Sequence, residues 1–382
     1  MNESSDNIEM VATTPRLEEV VEKALESPPV ALDIEGNGFH RYPERVCLVQ
    51  LAVHGSVFLI DPLAVPDTGP LGKLLADPSV EKIVHSADYD VRSLDREWGF
   101  RVRNLFDTSI AAAFVGSPRL GLGTVLRDYL GVEVTKTKKL QRADWTIRPL
   151  SSQALHYAAE DVFYLERTRN LLVERLEELH RLEWVREECE RLTKVRYHPR
   201  DLEWAFAAIK GSRTLDGRGL AVLRSLHRFR EEEAIRSDHP PFKVIADPAL
   251  VQIASNPYSD IASVKGLGRF GRQPGLSRLS AAIREGLEGP TVRLPRQPAR
   301  NGQRDAAQRA KIGDRLHILK GWRTSQGQRR QLDPALLWPS ASLERLAAAT
   351  DTVDAEFISP EVRAWQRREL GESLRGFLAA LE

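Results

Sequence analysis

The stretch VALDIEGNGFH, residues 30–40, sets Val30, Ala31, Leu32 and Ile34 around two acids, Asp33 and Glu35. The apolar residues predict a buried β-strand. Side chains at i and i+2 of a strand share a face, so the two carboxylates lie side by side. Like charges held so closely repel, and burying them is costly unless something positive compensates. The strand therefore needs a partner that the stretch itself does not contain.

Two further stretches supply matching groups. In IVHSADYDVRSL (83–94) a short apolar strand leads into a helix start carrying Asp88 and Asp90. In LHYAAEDVFYL (155–165) Tyr157 and Asp161 are four apart, on one face of a helix. Asp33, Glu35, Asp90 and Asp161 can form a cluster of four carboxylates. Hard divalent cations such as Mg²⁺ or Mn²⁺ take oxygen ligands, and two of them about 3.5–4 Å apart would neutralise such a cluster. Taken singly, each signal has a plainer reading. D-x-E suits an edge strand with one wet face, Asp90 suits the positive end of its helix, and Tyr157 suits a core. The order and context of the stretches together are far more specific. Glu160 and Asp88 read as bystanders, and Asp107 as the cap of the helix that follows it.

The chain has 382 residues, 42% hydrophobic and 29% charged, as expected for two or three globular domains. No apolar run approaches the roughly 18–20 residues of a membrane helix. The polar, acidic MNESSDNIEM is unlike a secretory signal. Cys47 and Cys189 are too few for a disulfide framework or a cysteine zinc site, which suggests a reducing, cytoplasmic setting. The net charge of +1 hides an asymmetry: residues 1–194 carry −8 and residues 195–382 carry +9. An acidic half joined to a basic half suits a metal-using catalytic domain fused to a polyanion-binding region, although charge also drifts along any long chain.

Residues 1–115 alternate between strand-like and helix-like patterns, with strands expected at VALDIE, VCLVQLAV, SVFLID and EKIVHS. The pattern indicates an α/β domain with a mixed sheet. From Ser152 the periodicity is helical until His198-Pro199 breaks it. We therefore expect a first domain over residues 1–197, a helical domain over 198–288, a basic, proline-rich linker over 289–304 and a second, divergent helical domain over 305–382. Both helical units run a basic-aromatic helix into a proline-bearing loop, a pattern of degenerate internal repetition.

ALDIEGNGFHRYPERVCLVQLA, IVHSADYDVRSL, LFDTSIAAAFVG and KKLQRADWTIRPLSSQALHYAAEDVFYL together resemble ribonuclease D, a family of the DEDD exonuclease superfamily in its tyrosine subgroup. LDGRGLAVLRSLHRFREEEAIRSDHPPFKVIADPALVQIA resembles the helical HRDC accessory domain of that family. The resemblance implies an α/β, ribonuclease H-like exonuclease domain with a mixed sheet, followed by two all-α HRDC-like domains. It further implies a 3′→5′ exoribonuclease that uses two divalent metal ions, Mg²⁺ or Mn²⁺, and releases nucleoside 5′-monophosphates. Position by position, Asp33 and Glu35 fill the first motif, Asp90 the second, and Asp161 the third with Tyr157 four residues before it. In that scheme Asp33, Glu35 and Asp161 hold the metal that binds the attacking water. Asp33 also bridges to a second metal that Asp90 helps to place. Ile34 stands where threonine is commoner, on the side away from the metals. The implied partner is RNA with a free 3′ end. That this RNA is a tRNA precursor rests on the resemblance alone, and neither a membrane nor an obligate protein partner is expected. A DNA-directed 3′→5′ exonuclease and a silent RNA-binding scaffold are the alternatives, and the intact carboxylate set argues against the scaffold.

Candidate nucleic-acid contacts follow from charge. KTKKLQRADWTIRP (136–149) puts Lys136, Lys138, Lys139, Arg142 and Arg148 around Trp145, a pattern that suits a single strand, although Trp145 more readily fills a core. His85 either lines the site or is a satisfied buried histidine. Residues 289–330 carry eleven Arg/Lys against Asp305 and Asp314, so nucleic-acid binding there would weaken steeply with salt. Leu223, Leu226 and Phe229 read as core. GLGRFGRQPG (266–275) lacks the context of a nucleotide phosphate loop.

Overall fold

The computed structural model describes residues 8–134, 138–295 and 306–381. Its sheet has six strands: β1 (Ile8–Val11), β2 (Val30–Gly36), β3 (Val46–Val53), β4 (Ser56–Ile60), β5 (Lys82–Val84) and β6 (Leu105–Asp107). Their order is β1-β4-β3-β2-β5-β6. β2, β3 and β4 form an antiparallel meander, while β1, β5 and β6 add parallel pairings. The sheet is mixed, as the sequence suggested. β3 and β4 are joined by His54-Gly55, both at positive φ, the primed turn that follows strand twist.

The helices of this layer are α1 (Thr14–Glu26), α2 (Gly69–Ala76), α3 (Asp88–Trp98), α4 (Thr108–Val115), α5 (Leu122–Leu130), α6 (Lys138–Gln141), α7 (Ser152–Phe163), α8 (Leu165–Glu178) and α9 (Leu182–Thr193). Alternation along the strands decides which helix covers which face. Leu32, Ile34, Val49 and Leu51 pack against α1, α2 and α3. Ala31, Leu48, Ala52 and Leu59 pack on the other face with α5 and α7. Asp33 and Glu35 share the second face with Ala31 and so point towards α7.

Two all-α, HRDC-like domains follow. The first contains α10 (Gly217–Ser237), α11 (Pro241–Val244), α12 (Asp247–Ser255) and α13 (Gly275–Glu288). The second contains α14 (Ala306–Arg330), α15 (Pro334–Leu337), α16 (Ser340–Ala348), α17 (Val353–Ile358) and α18 (Ala364–Ala379). Both run from a long helix through a one-turn helix opened by proline to a nine-residue helix, which is the repeat glimpsed in the sequence. Leu223, Leu226 and Phe229 are buried in α10. Residues 289–295, expected to begin a linker, pack back on the first helical unit: Val292 is buried and its N–H donates to the Gly217 carbonyl at 2.9 Å. The remainder of the expected linker, 296–304, lies outside the described residues. Among the described residues no helix is long and apolar enough to cross a membrane.

The second helical unit shares a core with the first domain. Trp365 stacks on Trp184 of α9 at 4.6 Å between ring centroids and meets Phe114 of α4 edge-on at 5.4 Å. The first helical unit meets the loop after β2, with Tyr42 packed on its core and with polar contacts. Arg41 pairs with Asp238 at 3.0 Å, and the Tyr42 hydroxyl donates to Glu231 at 2.5 Å.

Lys82 is fully buried in β5, and its ammonium donates to the carbonyls of Asp77 (2.5 Å) and Val80 (2.6 Å). Desolvation pulls its pKa down to about 8 from 10.5. Between those values the unfolded chain binds a proton that the folded chain does not, so stability from this group rises with pH. Urea unfolding should show wild type gaining about 3 kcal/mol relative to Lys82→Met between pH 8 and 10.5. Parallel curves for the two proteins would place the ammonium in water.

Candidate active site

The site is built where β2, the start of α3 and the middle of α7 converge. At the end of β2 the register with β3 slips by one residue between Glu35 and Gly36, a bulge that turns the chain out of the sheet. The absence of a side chain on Gly36 lets the Tyr89 hydroxyl sit against the backbone there, where a Cβ would push that ring aside. Ligand oxygens of Asp33, Glu35 and Asp161 all lie within 4.8 Å of one another. Asp161 is brought there by α7, whose first turn is capped by Ser151 accepting from the Ala154 N–H at 3.2 Å.

Asp90 sits in the first turn of α3 and is buried. Its carboxyl is pushed well above the usual carboxylate range, first by burial and then by the charges of Asp33 and Asp107. Asp90 thus belongs electrostatically to the same cluster. Asp107 is the cap that the sequence suggested, accepting from Ser109 N (2.8 Å) and Ile110 N (3.2 Å). It also accepts from Ser86 N (3.1 Å) and Ala87 N (2.8 Å), which braces the turn that delivers Asp90. Asp88 is spent on Arg92, 2.8 Å away.

Tyr157 lies one turn before Asp161 and hydrogen-bonds to it. Its phenol is pushed far above the usual range by burial first, then by Asp161, Glu35 and Asp33. At neutral pH it keeps its proton and acts as a donor. His85 Nδ1 lies 2.9 Å from the Thr108 hydroxyl, which itself donates to the Val84 carbonyl at 3.1 Å. Thr108 therefore accepts from His85, which puts the proton of the neutral ring on Nδ1.

The basic candidates divide. Lys138 and Lys139 are exposed on α6, and Lys136 lies outside the described residues. Arg142 is exposed, with its guanidinium 5.4 Å from the Phe39 ring. Arg148 corrects the sequence expectation. Its guanidinium forks onto Asp61 (2.6 and 2.8 Å) and donates to the carbonyls of Cys47, Trp145 and Ile147. All five donors are taken inside the domain, so none is left for a phosphate. Trp145 is 1% exposed and packs against Tyr157 at 6.1 Å, a core residue that backs the site.

Sequence reasoning missed an exposed aromatic pair formed by the loop after β2 and the first helical unit. Phe39, four residues beyond Glu35, and Phe242, at the start of α11, are 46% and 52% exposed, yet their rings are 5.6 Å apart. Lys243 lies 5.2 Å from the Phe39 ring. Phe39 was legible as an apolar residue stranded in a glycine-rich turn. Phe242 sits some two hundred residues further on, and nothing in the sequence joins it to Phe39.

This fold and carboxylate arrangement define an exonuclease domain, and residues 8–177 match the family described as 3'-5' exonuclease. The chain is 31% identical to a ribonuclease D of Gluconacetobacter diazotrophicus over 374 residues, covering 95% of this chain and 91% of the relative. A ribonuclease D of Granulibacter bethesdensis is 32% identical over 351 residues, covering 90% and 86%. The crystal structure of Escherichia coli RNase D superposes with a TM-score of 0.72 at 26% identity, over 98% of this chain and 99% of that one. The chain belongs to the ribonuclease D family of DEDD-type 3′-5′ exonucleases.

Proposed function

We propose that the chain is a metal-dependent 3′→5′ exoribonuclease that removes nucleoside 5′-monophosphates from RNA 3′ ends, with tRNA precursors among its substrates. The observation that carries this reading is the meeting of Asp33, Glu35 and Asp161 within 4.8 Å, with Asp90 raised first by burial and then by the charge of Asp33. The donor set fits hard divalent cations: it is all carboxylate oxygen, and the negative charge calls for a positive partner. Asp33, Glu35 and Asp161 would hold one Mg²⁺ or Mn²⁺, and Asp33 with Asp90 a second. Bound there, the ions would activate water and stabilise the departing 3′-oxygen.

The chain's own groups supply the rest. Tyr157 keeps its proton and orients the attacking water by hydrogen bond. Phe39 and Phe242 offer faces for unpaired bases, while Arg142 and Lys243 meet the phosphates between them. Phe39 follows Glu35 by four residues, so its Cα is at most ~14 Å from that of Glu35. An RNA end on these rings is therefore within reach of the carboxylates. Since base stacking on an aromatic is worth about 1–3 kcal/mol, Phe242→Ala should raise KM for single-stranded 3′ tails about 10-fold with little change in kcat. Steady-state kinetics on a tailed hairpin check this, and an unchanged KM would place the RNA path elsewhere.

The deciding experiment follows a 5′-labelled RNA with a single-stranded 3′ tail, and the matching DNA, in Mg²⁺, Mn²⁺ or EDTA. Asp161→Ala runs beside wild type. The expected result is a one-nucleotide ladder on RNA that needs metal and disappears in the variant. A ladder mainly on DNA would transfer the activity to that substrate. Binding without shortening in every metal would make the chain a scaffold.

A further inference from the structure

Gln50 stands in the middle of β3, 0% exposed, paired with Leu59 of β4 on one side and with Asp33 of β2 on the other. Residues directly opposite in an antiparallel pair project to the same face, with Cβ atoms about 4.5–5.5 Å apart. The Gln50 side chain therefore lies beside that of Asp33, between the sheet and α7. Its other neighbours on this face are apolar: Leu48, Ala52 and Leu59. Neither Nε2 nor Oε1 of Gln50 has a hydrogen-bond partner among the described residues.

A buried amide left in this state costs about 1–3 kcal/mol for each unsatisfied group, and methionine would fill the same space without that cost. The expense falls next to Asp33, the carboxylate proposed to bridge two cations, and orphaned polar groups in native structures call for such an explanation. Carboxylates that ligate metals are themselves held by hydrogen bonds from surrounding groups. An amide suits this place better than a cation: it donates to a carboxylate without neutralising the charge that draws the metal.

We propose that Gln50 is a positioning residue, its Nε2 donating to Asp33 and fixing that carboxylate as a ligand when divalent cations occupy the cluster. The inference rests on the metal reading given above. It is tested on the full chain by calorimetric titration with Mn²⁺ in the absence of RNA, beside denaturation of the metal-free proteins.

Wild type should bind Mn²⁺, and Asp33→Asn should lose that binding. Gln50→Met should weaken Mn²⁺ affinity 10–100-fold while its metal-free denaturation midpoint stays level or rises. Gln50→Asn, whose amide is one methylene too short, should show the same loss of affinity. A residue that merely fills the core would give the reverse: equal Mn²⁺ affinity with a lower midpoint, and that result overturns the inference. Failure of Gln50→Met to fold, with Gln50→Asn binding as wild type does, would overturn it as well. No Mn²⁺ binding by wild type would remove the metal reading itself, an outcome distinct from a Gln50 variant that binds normally.

Discussion

Asp33→Asn should lower turnover on a single-stranded RNA tail by roughly 10³-fold, the upper scale for loss of one group that stabilises charge in a transition state. The substitution keeps the shape of the side chain and the register of β2 with β3. It removes one charge from the set formed with Glu35, Asp90 and Asp161. RNA affinity should stay within about twofold, because Phe39, Arg142, Phe242 and Lys243 are untouched. Stability supplies an independent reading. Asp90 is destabilised in its charged form partly by Asp33, so the metal-free variant should melt higher than wild type, by about 2–4 °C for each kcal/mol of repulsion relieved. Addition of Mg²⁺ should reverse the ranking, since ligand binding stabilises only the protein that can take it up. Thermal melts with EDTA and with Mg²⁺, beside gel assays, check both halves. Turnover retained in Asp33→Asn would mean that the ligand assignment is wrong. An unchanged ranking of the melts would mean that the cluster does not gather cations.

The carboxylates were legible because each sits in a strong local pattern. Asp33 and Glu35 interrupt an apolar strand at period two, and Tyr157 and Asp161 repeat at helical spacing. Asp90 follows a strand directly at a helix start. β1 and β6 were not foreseen: each is short, lies at an edge of the sheet and is held by a single neighbour distant in sequence. Arg148 misled for a related reason. Charge next to an aromatic reads as a nucleic-acid contact until Asp61, 87 positions away, is found to take its guanidinium. The aromatic pair escaped because Phe39 shows in the sequence only as a stranded apolar residue, and nothing there joins it to Phe242. Gln50 is a single polar residue within the apolar VCLVQLAV strand, and only the register opposite Asp33 gives it a meaning.

Trp365→Ala should separate stability from chemistry. Trp365 is 0% exposed, stacked on Trp184 and edge-on to Phe114, and its indole N–H donates to Glu188 at 3.2 Å. Glu187 of α9 caps the N-terminus of α18, accepting from Ala364 N (2.6 Å) and Trp365 N (3.0 Å). The second helical domain is therefore fastened to α4 and α9 by a shared core and a borrowed cap. Truncating such a tryptophan costs about 3–5 kcal/mol, so urea denaturation should show a lower midpoint or a separate early transition for the second helical unit. The cores that carry β2 and α7 contain neither Trp184 nor Trp365. At 25 °C, turnover on a short single-stranded tail should then stay within about twofold of wild type, as expected of a change that touches no group near the reacting atoms. Trp365→Phe should recover much of the midpoint by keeping an aromatic against Phe114. Deleting residues 306–381 outright is a poorer probe, because it would leave Phe114 and Trp184 without their cover. If turnover on the short tail falls with the midpoint in Trp365→Ala, the second helical domain is holding the active-site elements in place as well as covering α4 and α9.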